Sequence, residues 1–368
     1  MALQNQVFIV GGGPAGLAAA ISLRNKGFPV KVADAARPPI EKVCGEGLLP
    51  ETLAALEQLG VRFVAGEGRP FAGIRYIGKE HSVGADFTQG AGLGMRRLAL
   101  HQKLIRAASE AGAEFLWNTC VERIGPDGVH ANGEFVPARW IIGADGAGSR
   151  VRKWLGIRAR NFSRVRYSFR RHYACAAWSK HVEVYWGKAS QFYVTPVGSD
   201  EICVVVISRD AALRIDEALQ EFPVLAARLA GVPCTSPEKG AATANRCYRE
   251  VCRGNVLLIG DASGMVDAIT GEGLGLAFRQ SLALADALAE ENPAIYRQAH
   301  ERLRRRSAYM ARLMLTLDGR PRLQGRVLRA FAAEPSAFRS LLATHTGRGS
   351  LRETAMAGIQ LARGIAGV

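Results

Sequence analysis

The chain has 368 residues, 48% hydrophobic and 22% charged, a composition that fits a folded enzyme with a large core and excludes a disordered or fibrous protein. Its 48 Lys and Arg against 33 Asp and Glu leave a formal net charge of +15, yet no nucleic-acid module accompanies them, so nucleic acid is not expected as a partner. No apolar run reaches the roughly 18–20 residues of a membrane span, and the seven cysteines are odd in number without a C-x-x-C pair, which predicts reduced thiols and a cytoplasmic protein.

Residues 1–6 lead directly into the apolar run Val7–Val10, leaving no room for a secretory leader. There follows Gly11-Gly12-Gly13-Pro14-Ala15-Gly16. In such a turn Gly11 permits the tight bend, Gly13 lets backbone approach a pyrophosphate, and Gly16 lets helix pack on strand. A helix opening at Pro14 and Ala15 offers free N–H groups to the phosphates; it is predicted over 15–26 and ends at Gly27. The next strand ends at Asp34 and Ala35, where a carboxylate accepts from an adenosine ribose and an arginine for a bound NADP phosphate is missing. Helices are predicted over 50–60 and 98–112.

A second strand-to-glycine junction is Ile141-Ile142-Gly143-Ala144-Asp145-Gly146, whose aspartate either meets a ligand or caps the following helix. Alternating and β-branched runs over 166–208 predict an inserted antiparallel sheet. In it Arg171 and Tyr173 share one face, Arg170 and His172 the other; which face meets a cofactor is open. A helix is predicted over 211–231. The third junction is Val256-Leu257-Leu258-Ile259-Gly260-Asp261-Ala262, where Asp261 is expected to meet ribityl hydroxyls. Gly271, Glu272, Gly273 and Leu274 then open a helix over 274–288, whose amides suit a flavin O2 carrying negative charge. Everything after Pro293 reads as amphipathic helix.

Together the three junctions resemble the FAD-dependent aromatic hydroxylases typified by p-hydroxybenzoate hydroxylase. Lys42-Val43-Cys44-Gly45-Glu46-Gly47 and Thr270-Gly271-Glu272-Gly273 are most similar to the geranylgeranyl reductase-like branch. The resemblance implies an α/β fold: a Rossmann-like FAD-binding domain (GR2-type; 1–74, 95–160 and 250–292), an inserted antiparallel-sheet substrate domain (75–94 and 161–249), and a C-terminal helical region (293–368). It implies Cys44 and Gly45 beside the flavin, Arg97 on the pyrophosphate with Arg96 as a substitute, and Val121 near the adenine. Ala268 stands where many relatives carry proline, which leaves the stiffness of that loop in question.

Candidate catalytic or substrate-contacting residues are Cys44, His172 and Tyr193. His172 suits proton transfer near neutrality. The first expectation is NAD(P)H-dependent monooxygenation of a lipophilic or aromatic secondary metabolite; with no second dinucleotide fingerprint, the nicotinamide docks transiently. Two alternatives stand beside it, reduction of isoprenoid double bonds and a non-catalytic flavin-holding partner protein. No metal-ligand spacing is present. The late arginines read as a solvated face, or as attraction to an anionic membrane surface or an acidic carrier.

Overall fold

Val7–Val10 is buried at all four positions, as a strand covered on both faces must be, and it lies inside a six-stranded sheet. In this computed structural model, which describes residues 6–162, 164–347, 349 and 358, that strand runs parallel to Val30–Asp34 on one side and Trp140–Gly143 on the other. Val256–Leu258 adds in parallel beyond Trp140–Gly143, and Glu114–Trp117 beyond Val30–Asp34. The three strands that precede the glycine junctions are thus parallel neighbours, so their loops leave the sheet at one edge. Such an edge is where nucleotides bind in open α/β sheets.

The helices are α1 (Pro14–Asn25), α2 (Pro50–Gln58), α3 (Arg97–Glu110), α4 (Arg150–Trp154), α5 (Ile215–Ala218), α6 (Pro223–Leu229), α7 (Gly273–Ala289), α8 (Pro293–Leu317), α9 (Pro321–Ala333) and α10 (Pro335–His345). The single helix expected over 211–231 is in fact broken. Pro223 lacks an N–H to continue the preceding turn and starts α6 instead. Of the predicted C-terminal helical region, residues 348, 350–357 and 359–368 lie outside the described residues.

The inserted sheet has seven strands in the order Lys239–Thr243, Arg166–Tyr173, Ile202–Ser208, Ser190–Pro196, His181–Trp186, Gly73–Ile77 and Ser82–Asp86. It is antiparallel except where His181–Trp186 meets Gly73–Ile77, a parallel pair between strands from distant parts of the chain. One face buries Phe192, Val204 and Val206 against Ile215 of α5 and Leu225 of α6. Arg171 lies on this side, paired with Asp216 and Glu238. The opposite face carries Arg170 and His172, as strand alternation requires. Further along, the same face turns apolar: Ile74, Val184 and Trp186 pack in one cluster with Met314, Leu328 and Phe338 of α8–α10.

Candidate active site

The first glycine loop closes on its neighbours by contact alone. A Cβ on Gly16 would stand 1.9 Å from the Gly11 carbonyl oxygen, and one on Gly11 would stand 2.5 Å from that of Ala144. Over Gly13 the space is open, and no side chain caps the start of α1, so its amides face the groove free. Asp34 accepts from the Gly12 and Ala36 amides at 2.8 and 2.9 Å. A carboxylate has about four acceptor positions, so hydroxyl donors still find room. Ala35 beside it is exposed. His101 donates from Nε2 to the Gly12 carbonyl at 2.8 Å, and burial lowers its pKa, keeping the ring neutral under the loop.

Arg97 opens α3 and is 5% exposed, with Nη1 buried and without a hydrogen-bond partner among the described residues. Burial also lowers its pKa. A buried guanidinium with an unused donor suits an anion, and this observation fits the predicted pyrophosphate. Arg96 is no substitute for it, being drawn off to Glu201 at 3.0 Å and to His172. Asp261 is open to the groove yet so enclosed that desolvation raises its pKa. Lys42 was not anticipated: its ammonium lies 3.3 Å from where a Cβ on Gly146 would stand.

Two predicted contacts also have partners within the protein, though Asp145 Oδ1 is buried without one among the described residues. The Asp145 carboxylate accepts from the Arg150 and Val151 amides at 2.7 and 3.1 Å, so it caps α4. Val121 has its side chain in the core beside Val129 and Ile141. Glu272 belongs to the expected helix start, and no side chain caps α7 there. Its own carboxylate, however, turns away toward Ser307 and Arg306 of α8. Gly271 and Gly273 border open space, as expected of residues facing a ligand, while Leu274 packs on the core.

The loop around Ala268 is stiffened by side chains instead of proline. Asp267 accepts from the Ile269 amide at 3.0 Å, and Thr243 Oγ1 from the Ala268 amide at 3.0 Å. Arg166, 1% exposed, forms a two-point ion pair with Asp267, also 1% exposed. Tyr193 reaches the same loop, its hydroxyl 3.3 Å from the Ile269 carbonyl, and burial pushes its phenol well up.

Cys44 and His172 meet in a buried polar cluster. Glu46, at φ 60°, is held in a left-handed conformation. Its carboxylate accepts from the Arg97 amide at 3.0 Å and from Arg170 at 3.1 Å, and lies 2.7 Å from His172 Nε2. These bonds over-determine the strained backbone. His172 Nδ1 lies 2.7 Å from Ser236 Oγ, so both ring nitrogens are engaged inside the protein. The Cys44 thiol accepts from the Glu46 amide at 3.3 Å, and burial raises its pKa, the opposite of a nucleophile. Glu46, His172 and Cys203 bring possible metal-ligand atoms within 4.8 Å of one another. Arg96 and Arg170 both contact the His172 ring, Arg170 also the Glu46 carboxylate, and two guanidinium charges there oppose a cation.

Next to the Ala268 loop is a cavity of about 220 Å³. Tyr76 and Trp186 wall it from the sheet, Ile269 and Thr270 from the loop, and Met310 and Phe338 from the C-terminal helices. Among the described residues that line it, none is Asp, Glu, Lys or Arg.

A family model described as "FAD binding domain" matches residues 4–304. Menaquinone reductase of Mycobacterium tuberculosis (strain ATCC 25618 / H37Rv) is 28% identical over 315 residues, which are 77% of this chain and 76% of that protein. Rifampicin monooxygenase of Rhodococcus hoagii is 27% identical over 311 residues, 78% of this chain and 64% of that one. A solved flavoprotein/dehydrogenase from Cytophaga hutchinsonii shares the fold, with a TM-score of 0.82 at 17% identity over 97% of this chain and 99% of that one.

Proposed function

The chain belongs to the FAD-binding domain family and takes FAD as its cofactor, and from that premise we propose that it is a monooxygenase hydroxylating an uncharged lipophilic or aromatic molecule. The observation that carries this reading is the apolar cavity beside the Ala268 loop, whose described lining residues include no Asp, Glu, Lys or Arg and a single ionisable base, His345. Bound FAD supplies the two-electron chemistry. The overall change is substrate–H + O₂ + NAD(P)H + H⁺ giving substrate–OH + H₂O + NAD(P)⁺.

The protein's own residues bind, orient and exclude. Asp34 holds the ribose, Arg97 and the start of α1 the pyrophosphate, and Asp261 the ribityl chain. The free amides at the start of α7 stabilise negative charge on the ring. Tyr193 and the Arg166–Asp267 pair fix the Ala268 loop against the cavity, and the C-terminal helices keep water out. In this reading 1–74, 95–160 and 250–292 serve the cofactor and 75–94 and 161–249 the substrate, with helices α8–α10 of the C-terminal region closing the cavity.

A second reading is reduction of isoprenoid double bonds, and a protein named as a reductase, menaquinone reductase, stands among the relatives. Turnover with and without oxygen separates the two. Hydroxylation requires O₂ and adds one oxygen atom to the product; anaerobic turnover whose product gains two hydrogens would sink it. We further propose that Arg302, Arg312, Arg322 and Arg326, all exposed on α8 and α9, draw the protein to an anionic lipid surface. No described helix is long and apolar enough to cross a membrane. Sedimentation with anionic vesicles at low salt, lost at high salt, is expected; equal sedimentation with neutral vesicles would refute the charge argument.

A further inference from the structure

Thr270 and Glu272 flank Gly271, which adopts the left-handed conformation at φ 68°. One ring reaches both. His345, the last residue of α10, places Nε2 3.0 Å from the Thr270 carbonyl oxygen and Nδ1 3.6 Å from Glu272 Oε2. The histidine is 7% exposed and the glutamate 1%. A carbonyl oxygen only accepts, so Nε2 carries hydrogen and donates. His345 Nδ1 and Glu272 Oε2 have no hydrogen-bond partner among the described residues and face one another; with a second proton on the ring, Nδ1 is the donor and the carboxylate the acceptor. The other Glu272 oxygen is held from α8, by Ser307 Oγ at 3.1 Å and Arg306 at 3.5 Å.

We propose that His345 is a positioning residue for the cofactor, clamping the Thr270-Gly271-Glu272 turn so that the free amides of α7 stay aimed at the flavin. The inference rests on the FAD site described above. Two observations separate it from ordinary packing. Apart from its two chain neighbours, no heavy atom of the described residues lies within 4 Å of a Cβ built on Gly271, so steric contact does not hold this turn as it holds the first glycine loop. His345 also lies beyond residue 304, where the match to the FAD-binding family ends. A C-terminal helix that walls the cavity therefore completes the cofactor loop.

The test uses the full chain and reads FAD affinity by flavin fluorescence, the absorption spectrum of bound flavin, and thermal unfolding. His345→Ala is expected to raise the FAD Kd about tenfold, the scale of a lost buried hydrogen bond, and to shift the flavin spectrum. His345→Gln can still donate to the Thr270 carbonyl and should recover most of that affinity. Ser340→Gly softens α10 away from the clamp, and is expected to lower the melting temperature while leaving the FAD Kd unchanged. An unchanged Kd in His345→Ala would overturn the proposal. So would a glutamine variant no better than alanine, or an equal loss of FAD in Ser340→Gly. Failure of the unmodified chain to bind FAD would instead refute the cofactor reading itself, before any variant is compared.

Discussion

Two loops border the same groove and are held by opposite means. Residues 11–16 are fixed by backbone against backbone, with Gly11 and Gly16 packed where no side chain fits. Residues 267–271 have room around Gly271, and their hold comes from side chains delivered by distant elements: Arg166 and Thr243 of the inserted sheet, and His345 of α10. The third glycine segment combines the two: a Cβ on Gly260 would stand 2.8 Å from the Ala15 side chain, and Ser263 just after it lies 2.9 Å from His300 Nε2 on α8. The first loop is held chiefly by close backbone approach, within itself at Gly16 and to the neighbouring Ala144 junction at Gly11. The others depend on the assembled protein.

The contrast is broken most severely at Arg166. Arg166→Leu leaves Asp267 charged and buried, and should cost about 3–5 kcal/mol in denaturant unfolding. Adding Asp267→Asn should restore much of the loss, since asparagine can still accept from the Ile269 amide. A single variant as stable as the parent would show that the pair does not hold the loop.

Acid offers a second test. Burial pushes His300 down to about 4 from an ordinary 6.5. The unfolded chain therefore takes up this proton near pH 6.5 and the folded protein only near 4. Stability is full above that interval and falls as pH drops across it, by roughly 3 kcal/mol. Unfolding free energies measured from pH 7 to 4 should show that slope, and His300→Gln should flatten it.

The smallest effects compare glycines. Gly16→Ala drives a methyl into backbone and should cost about 1–3 kcal/mol, with FAD lost on purification. Gly271→Ala meets open space and carries only the penalty of its left-handed backbone, about 1–2 kcal/mol, with FAD partly retained. Equal flavin content in the two purified variants would erase the distinction.

The same contrast governs what could be read from the sequence. Close-packed backbone forces glycine locally, so the first loop and its parallel strands were legible. Arg170 and His172 were correctly placed on one sheet face, because strand alternation is a local rule. Side-chain clamps leave no local trace. Ala268 looked like a weakened loop, since nothing near it announces Arg166, which is 102 positions before it. Asp145 and Glu272 stood at the right junctions, but a carboxylate beside a helix start can face ligand or cap equally well, and only the fold decides. The cavity was hidden for a related reason: its walls converge from residues 74–76, 186, 269–270 and 310–345.

The family match stops at residue 304, and much of the cavity wall begins at Met310. On the proposed function, cofactor retention and substrate choice are then written largely in separate stretches of the chain. Mutation can redraw the far wall while leaving the phosphate and ribose contacts intact. That freedom ends where wall and loop meet, at Ile269, Thr270 and His345, and on the proposed clamp a change of specificity there would also be felt by the flavin.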